Sequence, residues 1–328
     1  MSNFRTEINV DESIHKIEYD TQVTFLGSCF ADNMGHKFKE CRLPALTNPF
    51  GVIYNPLSVA KVLKSIIHNI SYTQEDLHYH NEVWLSFDHH GSFSKNKKEE
   101  TLQLINDQCR ISHHILKESD FLFITFGTAW VYQLKENDQI VANCHKYPSG
   151  HFHRYMLDIE KIIATYQQVL TELLAFNPHL KIVFTVSPVR HWKDGAHGNQ
   201  ISKATLLLAI NKLCGQFNNC HYFPAYELLI DDLRDYRFYA EDMLHPNSTA
   251  IEYIWDKFEK SFFSIRTLEY RNEMRKLEKA VKHRAFNPAT EQHQRFLKNQ
   301  IEKIERLKKK YPNTNFEKDL VQLRANII

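Results

Sequence analysis

The chain holds 328 residues, 41 Lys+Arg against 39 Asp+Glu, with 43% hydrophobic and 24% charged side chains. These proportions exclude a disordered, collagenous or fibrous protein, and at about 150 residues per domain the length suits roughly two domains, or one large α/β domain with an appendage. No apolar run approaches the ~20 residues that span a bilayer, no apolar h-region follows Met1-Ser2-Asn3-Phe4-Arg5, and the six scattered cysteines form no Cys-x-x-Cys pair, so a cytoplasmic protein with free thiols is expected.

In chain order, Val23 to Leu26 reads as a first strand. Gly27-Ser28-Cys29-Phe30-Ala31 follows and leads into a helix-like stretch, Asp32 to Glu40. A second strand precedes Asn48-Pro49-Phe50-Gly51, a helical pattern covers 56–69, and His78 to Ser92 reads as a loop or hairpin. Phe121 to Phe126 is a further strand ending in Gly127-Thr128, with a helix expected over 158–176. Ile182 to Val186 is a strand ending in Ser187-Pro188-Val189-Arg190-His191. A helix over 201–217, a strand at His221 to Phe223, the segment Asp242-Met243-Leu244-His245-Pro246-Asn247 and a helix over 248–262 complete this part. Continuously apolar strands suit a parallel sheet covered on both faces. Their alternation with helices implies a doubly wound α/β architecture, whose site lies at the carboxyl ends of the strands.

The composition changes near 262–266. All nine glycines and all four tryptophans lie before residue 266, and the part from Arg266 onward carries a net +8 against −6 for the rest. This divides the chain into residues 1–262 and 263–328. Tyr270, Met274, Leu277 and Val281 form one helical seam, and Leu297, Ile301, Ile304, Leu307 and Tyr311 form another. Asn287 and Pro288 read as the N-cap and first turn of the second helix, giving a helical hairpin with a short third segment after Pro312. Lys308-Lys309-Lys310 reads as a solvated helix end complementing the dipole, so no nucleic-acid partner is expected. Assembly of copies through these helices stays open.

The segment FLGSCFADNMG, together with NPFGVIYNPLS, FGTAW, NCHK and SPVRH, resembles the GSCFA family over roughly residues 20–260. That family is similar to the SGNH/GDSL-type hydrolases. The resemblance implies a flavodoxin-like three-layer sandwich, a nucleophilic serine just after the first strand and a late Asp-x-x-His pair.

On these terms Ser28 is the nucleophile, His245 the base and Asp242 the group that fixes the imidazole tautomer. The amides of Ser28 and Gly51 are expected to donate to an oxyanion. Gly127 opens the third block, where the related enzymes read Gly-x-Asn-Asp; this chain has Ala129 and Trp130 instead. Asn143 is the expected substitute donor and His145 its competitor. Arg190 and His191 are expected to contact an anionic or polyhydroxyl substrate. Cys29 is read as a small buried hydrophobe pointing away from the site. Trp84, Asp88, His89 and His90, with His78 and His80, read as a substrate-covering loop; a metal site there is the weaker reading, since no HExxH-type spacing accompanies it. The expectation is a serine hydrolase, without metal or organic cofactor, that cleaves an ester such as an O-acyl group on a carbohydrate. An acyltransferase, a non-catalytic scaffold and a metal-dependent hydrolase stay open as alternatives.

Overall fold

Buried runs of aromatic and β-branched residues pair in parallel and set the frame of the protein. The computed structural model describes residues 5–283 and 285–327. Its elements, in order, are β1 (Val23–Gly27), α1 (Cys29–Glu40), β2 (Ala45–Thr47), α2 (Pro56–Ile67), β3 (His78–His80), β4 (Val83–Leu85), α3 (Lys98–Glu118), β5 (Phe121–Phe126), β6 (Trp130–Leu134), β7 (Ile140–Val141), β8 (Phe152–Met156), α4 (Ile159–Phe176), β9 (Lys181–Val186), α5 (Gly195–Gln216), β10 (Cys220–Tyr222), α6 (Ala225–Glu227), α7 (Ser248–Phe262), α8 (Ile265–Lys282), α9 (Glu291–Lys310) and α10 (Glu317–Arg324). Among the described residues, no helix is long and apolar enough to cross a membrane.

The main sheet has five strands in the order β2-β1-β5-β9-β10, all parallel. Gly27 stands opposite Thr125, and Thr125 opposite Thr185. The segments after β1, β5 and β9 therefore leave the sheet side by side at one edge, about 5 Å apart per strand. Alternation along the strands sends Leu26, Ile124 and Phe184 to one face, where they share a core with Val59 of α2, Ile105 of α3, Val169 of α4 and Leu206 of α5. Phe25, Phe123 and Val183 go to the other face, against Phe38 of α1 and Phe258 of α7. Each such side chain contributes roughly 1.5–3 kcal/mol by leaving water.

The seam residues of the last helices join this second core. Tyr270, Met274, Leu277, Val281, Leu297, Ile304, Leu307 and Tyr311 are all buried within it. Tyr19 packs on both Tyr270 and Tyr311, each at 5.2 Å between ring centroids. Arg42, after α1, grips Asp319 of α10 with two bonds of 2.6 and 2.7 Å. The basic run is solvated and paired, Lys310 with Glu273 at 2.6 Å and Lys308 with Glu317 at 3.1 Å. One boundary differs from expectation. The second helix is capped by Thr290, whose hydroxyl accepts the His293 amide at 3.4 Å. Asn287 instead gives its carbonyl to the Thr290 amide, because Asn287 to Thr290 is a turn ahead of the helix.

The hairpin β3–β4 forms inside the stretch His78 to Ser92 that reads as a loop or hairpin. Two features have no counterpart in the sequence reading, the long helix α3 and a small antiparallel sheet in the order β7-β6-β8 between β5 and α4. Leu134, Val141 and Phe152 of the small sheet share a minor core with Leu85 and Phe87. Together these pieces build a wall beside the carboxyl edge of the main sheet.

Candidate active site

The turn from β1 into α1 is one that only glycine can open. Gly27 has φ +132°, and a Cβ there would lie 2.1 Å from the Thr125 carbonyl oxygen. Its amide donates to Asn48 Oδ1 at 2.8 Å, and Asn48 Nδ2 in turn donates to Asp32 at 2.6 Å. Ser28 is the N-cap of α1: its Oγ accepts the Phe30 amide at 3.2 Å. It is 3% exposed, and its own amide donates to Thr125 O at 3.2 Å. The Gly51 amide donates to Asn48 O at 2.7 Å, closing a turn. Both backbone donors expected for an oxyanion are thus engaged within the protein, because the end of β1 bonds to β5 and the segment after β2 closes a turn on itself. The first amide of α1, that of Cys29, has no carbonyl partner within the helix, as at every helix N-terminus.

Cys29 also departs from expectation. It is partly exposed rather than buried, and its thiol interacts electrostatically with Lys203 and Tyr54. Burial, then the Asp32 charge, raises its pKa, against the amides of Cys29 and Phe30 and the charge of Lys203.

Asp242 and His245 form a pair. His245 Nδ1 lies 2.6 Å from Asp242 Oδ2, while Asp242 Oδ1 accepts the amides of Leu244 and His245 at 2.9 and 3.0 Å. These backbone bonds, with the imidazole contact, hold the Asp242 carboxyl down at about 2. Both side chains are about half exposed. The loop is tied to the end of β9, since the Arg190 amide donates to Leu244 O at 3.2 Å. Arg190 lays its guanidinium over the Trp192 ring at 4.8 Å. His191 sits deeper, its ring 5.4 Å from Tyr54 and its Nε2 3.3 Å from where a Cβ on Gly127 would stand. Burial, then the charges of Lys203 and His245, lowers its pKa to about 4, so it is neutral at pH 7.

The N-terminal half of α5 binds the loop starts after β5 and β9 together, a feature missed in the sequence. Asn199 Oδ1 accepts the His191 amide at 2.9 Å. Ser202 Oγ accepts the Ala129 amide at 2.8 Å and lies 3.0 Å from Thr128 Oγ1. Lys203 Nζ donates to Gly127 O at 2.7 Å and Ser187 O at 2.8 Å. Lys203 is 1% exposed, and burial lowers its pKa to about 7, helped by the like charge of Arg190 and opposed by Cys29. The signal was legible as a polar stripe: Asn199, Ser202 and Lys203 share one helical face.

Gly127 gives its amide to Tyr54 O at 2.8 Å and admits the close approach of Tyr54 and His191. Asn143 holds a turn, its Oδ1 accepting the His145 amide at 2.9 Å. His145 Nε2 lies 2.9 Å from the Ser86 carbonyl, which anchors that loop to the β4 side. Asn143 and His191 line a cavity of about 480 Å³ that also takes in Tyr54 and Thr128; Ser28 is not in its wall.

The histidine-rich hairpin disperses its side chains. His89 is fully buried, stacked on Phe50 at 4.3 Å, with a pKa pushed down to about 3 by burial. His80 packs on Tyr147 at 3.9 Å, His78 on Phe87 at 4.7 Å, and His90 Nδ1 lies 3.1 Å from the Ser92 hydroxyl. Asp88 pairs with Lys61 at 2.7 Å. Among the described residues no three His, Cys, Asp or Glu side chains gather as metal ligands.

Comparison with known proteins places this geometry in a lineage. No curated protein matches the chain. The model of the GSCFA family matches residues 22–258, which include the β1–α1 turn, α5 and the Asp242–His245 loop. A second model, the C-terminal domain of GSCFA domain proteins, matches residues 274–328. With most of its length matched, the chain belongs to the GSCFA family.

Proposed function

We propose that the protein is an ester hydrolase of SGNH type that works through an acyl-enzyme on the β1–α1 turn. The observation that carries this reading is the Asp242–His245 pair at 2.6 Å, on a loop bonded to the end of β9, the same sheet edge at which Ser28 stands. The strand order supports it: renumbered along the sheet's own strands it runs 2-1-3-4-5, the flavodoxin-like order. Ser28 stands beside the reversal of strand order between β1 and β5, where such sheets bind ligands.

In this mechanism the Ser28 hydroxyl attacks the acyl carbon while His245 Nε2 takes its proton, Nδ1 being held by Asp242. The proton passes to the leaving alcohol. Water then releases the acid by the reverse use of the same base, and an acceptor alcohol in place of water makes the reaction an acyl transfer. Because the Ser28 and Gly51 amides are engaged, the Cys29 amide at the start of α1 is the backbone donor we assign to the oxyanion. An O-acyl group on a carbohydrate is the substrate class we assign.

Cys29 is the second reading, favoured by its partial exposure and its electrostatic interaction with Lys203 and Tyr54. Labelling with a fluorophosphonate followed by peptide mapping decides between them. The expected result is a single adduct on Ser28 that disappears in Ser28→Ala and falls at least about a hundredfold in His245→Gln, with circular dichroism unchanged. Labelling that survives Ser28→Ala and vanishes in Cys29→Ala assigns the thiol. No labelling of the folded chain defeats the hydrolase reading.

A further inference from the structure

The 480 Å³ cavity is walled by the small antiparallel sheet on one side and by Tyr54 and His191 of the strand-end site on the other. Its size is that of a site for a small organic ligand. Its wall is layered: Arg154 of β8 lies over the Trp130 ring at 4.2 Å, and Lys193 lies over the Tyr132 ring at 5.1 Å. Among the described residues, Asp194 is the only carboxylate lining the cavity. Both of its oxygens are taken by Arg154, at 2.6 Å each. A cationic ligand therefore meets no free carboxylate there. Lys193 is exposed and bonds to the Tyr132 hydroxyl, with no carboxylate within 4.0 Å among the described residues, which leaves ammonium protons for an anion. Asn143 Nδ2 is a further donor, since its Oδ1 is occupied by the His145 amide. Polar groups interrupt the apolar lining throughout, unlike the continuous hydrocarbon wall that an acyl chain needs.

We propose that this cavity holds the sugar of the substrate and selects a sugar acid, its carboxylate on Lys193 and its hydroxyls among the polar groups of the wall. The assignment of this sugar as a substrate's alcohol part rests on the hydrolase reading; its binding does not. Calorimetric titration of the full chain with sodium glucuronate and with glucose tests it. The expected result is that glucuronate binds at least about tenfold more tightly than glucose, and that Lys193→Glu removes the difference while Lys193→Arg keeps it. Equal binding of the two sugars, no binding of glucuronate, or glucuronate binding unchanged in Lys193→Glu overturns the proposal. The same titration on Ser28→Ala separates the two ideas. Glucuronate binding there, with wild type unlabelled by fluorophosphonate, removes the hydrolase and leaves the sugar-acid site. Labelling without glucuronate selectivity does the reverse.

Discussion

A chain ended after Ser264 is expected to lose its cooperative melt or to self-associate. The last three helices supply Tyr270, Met274, Leu277, Leu297, Ile304, Leu307 and Tyr311 to the second core, and their removal strips Tyr19 of both its ring partners and opens that core to water. A side chain of this size costs roughly 1.5–3 kcal/mol when returned to water, and a handful of them matches the whole stability of an ordinary domain, about 5–15 kcal/mol. Scanning calorimetry together with light scattering and dye binding checks this. A truncated chain that stays monomeric, binds no hydrophobic dye and melts at the wild-type temperature contradicts the packing described above.

The second large effect is carried by Lys203. Its ammonium is buried without a carboxylate among the described residues, and its pKa falls to about 7 in the fold, against 10.5 as the ordinary value. Between those limits the unfolded chain binds the proton and the folded one releases it. Stability contributed through this group is therefore lowest below pH 7 and rises as pH climbs toward 10, by up to about 1.4 kcal/mol per pH unit. Lys203→Met removes this slope and leaves the Gly127 and Ser187 carbonyls without their donor, each costing about 1–3 kcal/mol. Urea melts of both proteins at several pH values between 7 and 10 make the comparison, in which titrations common to both cancel. A wild-type advantage that stays constant over this range means that Lys203 keeps its charge, and the assignment fails. Lys203→Arg, which cannot release a proton, is expected to be destabilised across the whole range.

Much of the fold was legible because long-range pairing and local pattern agree in it. The strands β1, β5 and β9 are short runs of apolar and β-branched residues, which suits strands buried on both faces. The seams of α8 and α9 keep strict helical spacing into one core. Where the pattern is mixed, the reading fails. The buried stripe of α3 consists of Thr101, Ile105, Cys109, Ser112 and Leu116, so polar residues at core positions hide its period. The strand β8 alternates burial along Phe152–Met156 within a short, charged sequence that reads equally as loop. The Asp242–His245 pair was visible as a three-residue spacing. The directions of side chains at the β1–α1 turn were not, because which of Ser28 and Cys29 faces the site depends on the exit angle of Gly27. The bonds of the Ser28 and Gly51 amides were hidden for a related reason: sequence names a donor but not the carbonyl that reaches it first.

The polar stripe of α5 has a consequence for how the site moves. Asn199, Ser202 and Lys203 lie within little more than one helical turn, and through them one helix holds the starts of the loops after β5 and β9. Displacing that turn breaks all these bonds at once, so the two loops should loosen as a unit, on the slow time base of sub-global opening. Hydrogen exchange reads this directly. The amides of Ala129 and His191, 62 positions apart in the chain, should exchange with matching protection, and Ser202→Ala should speed both.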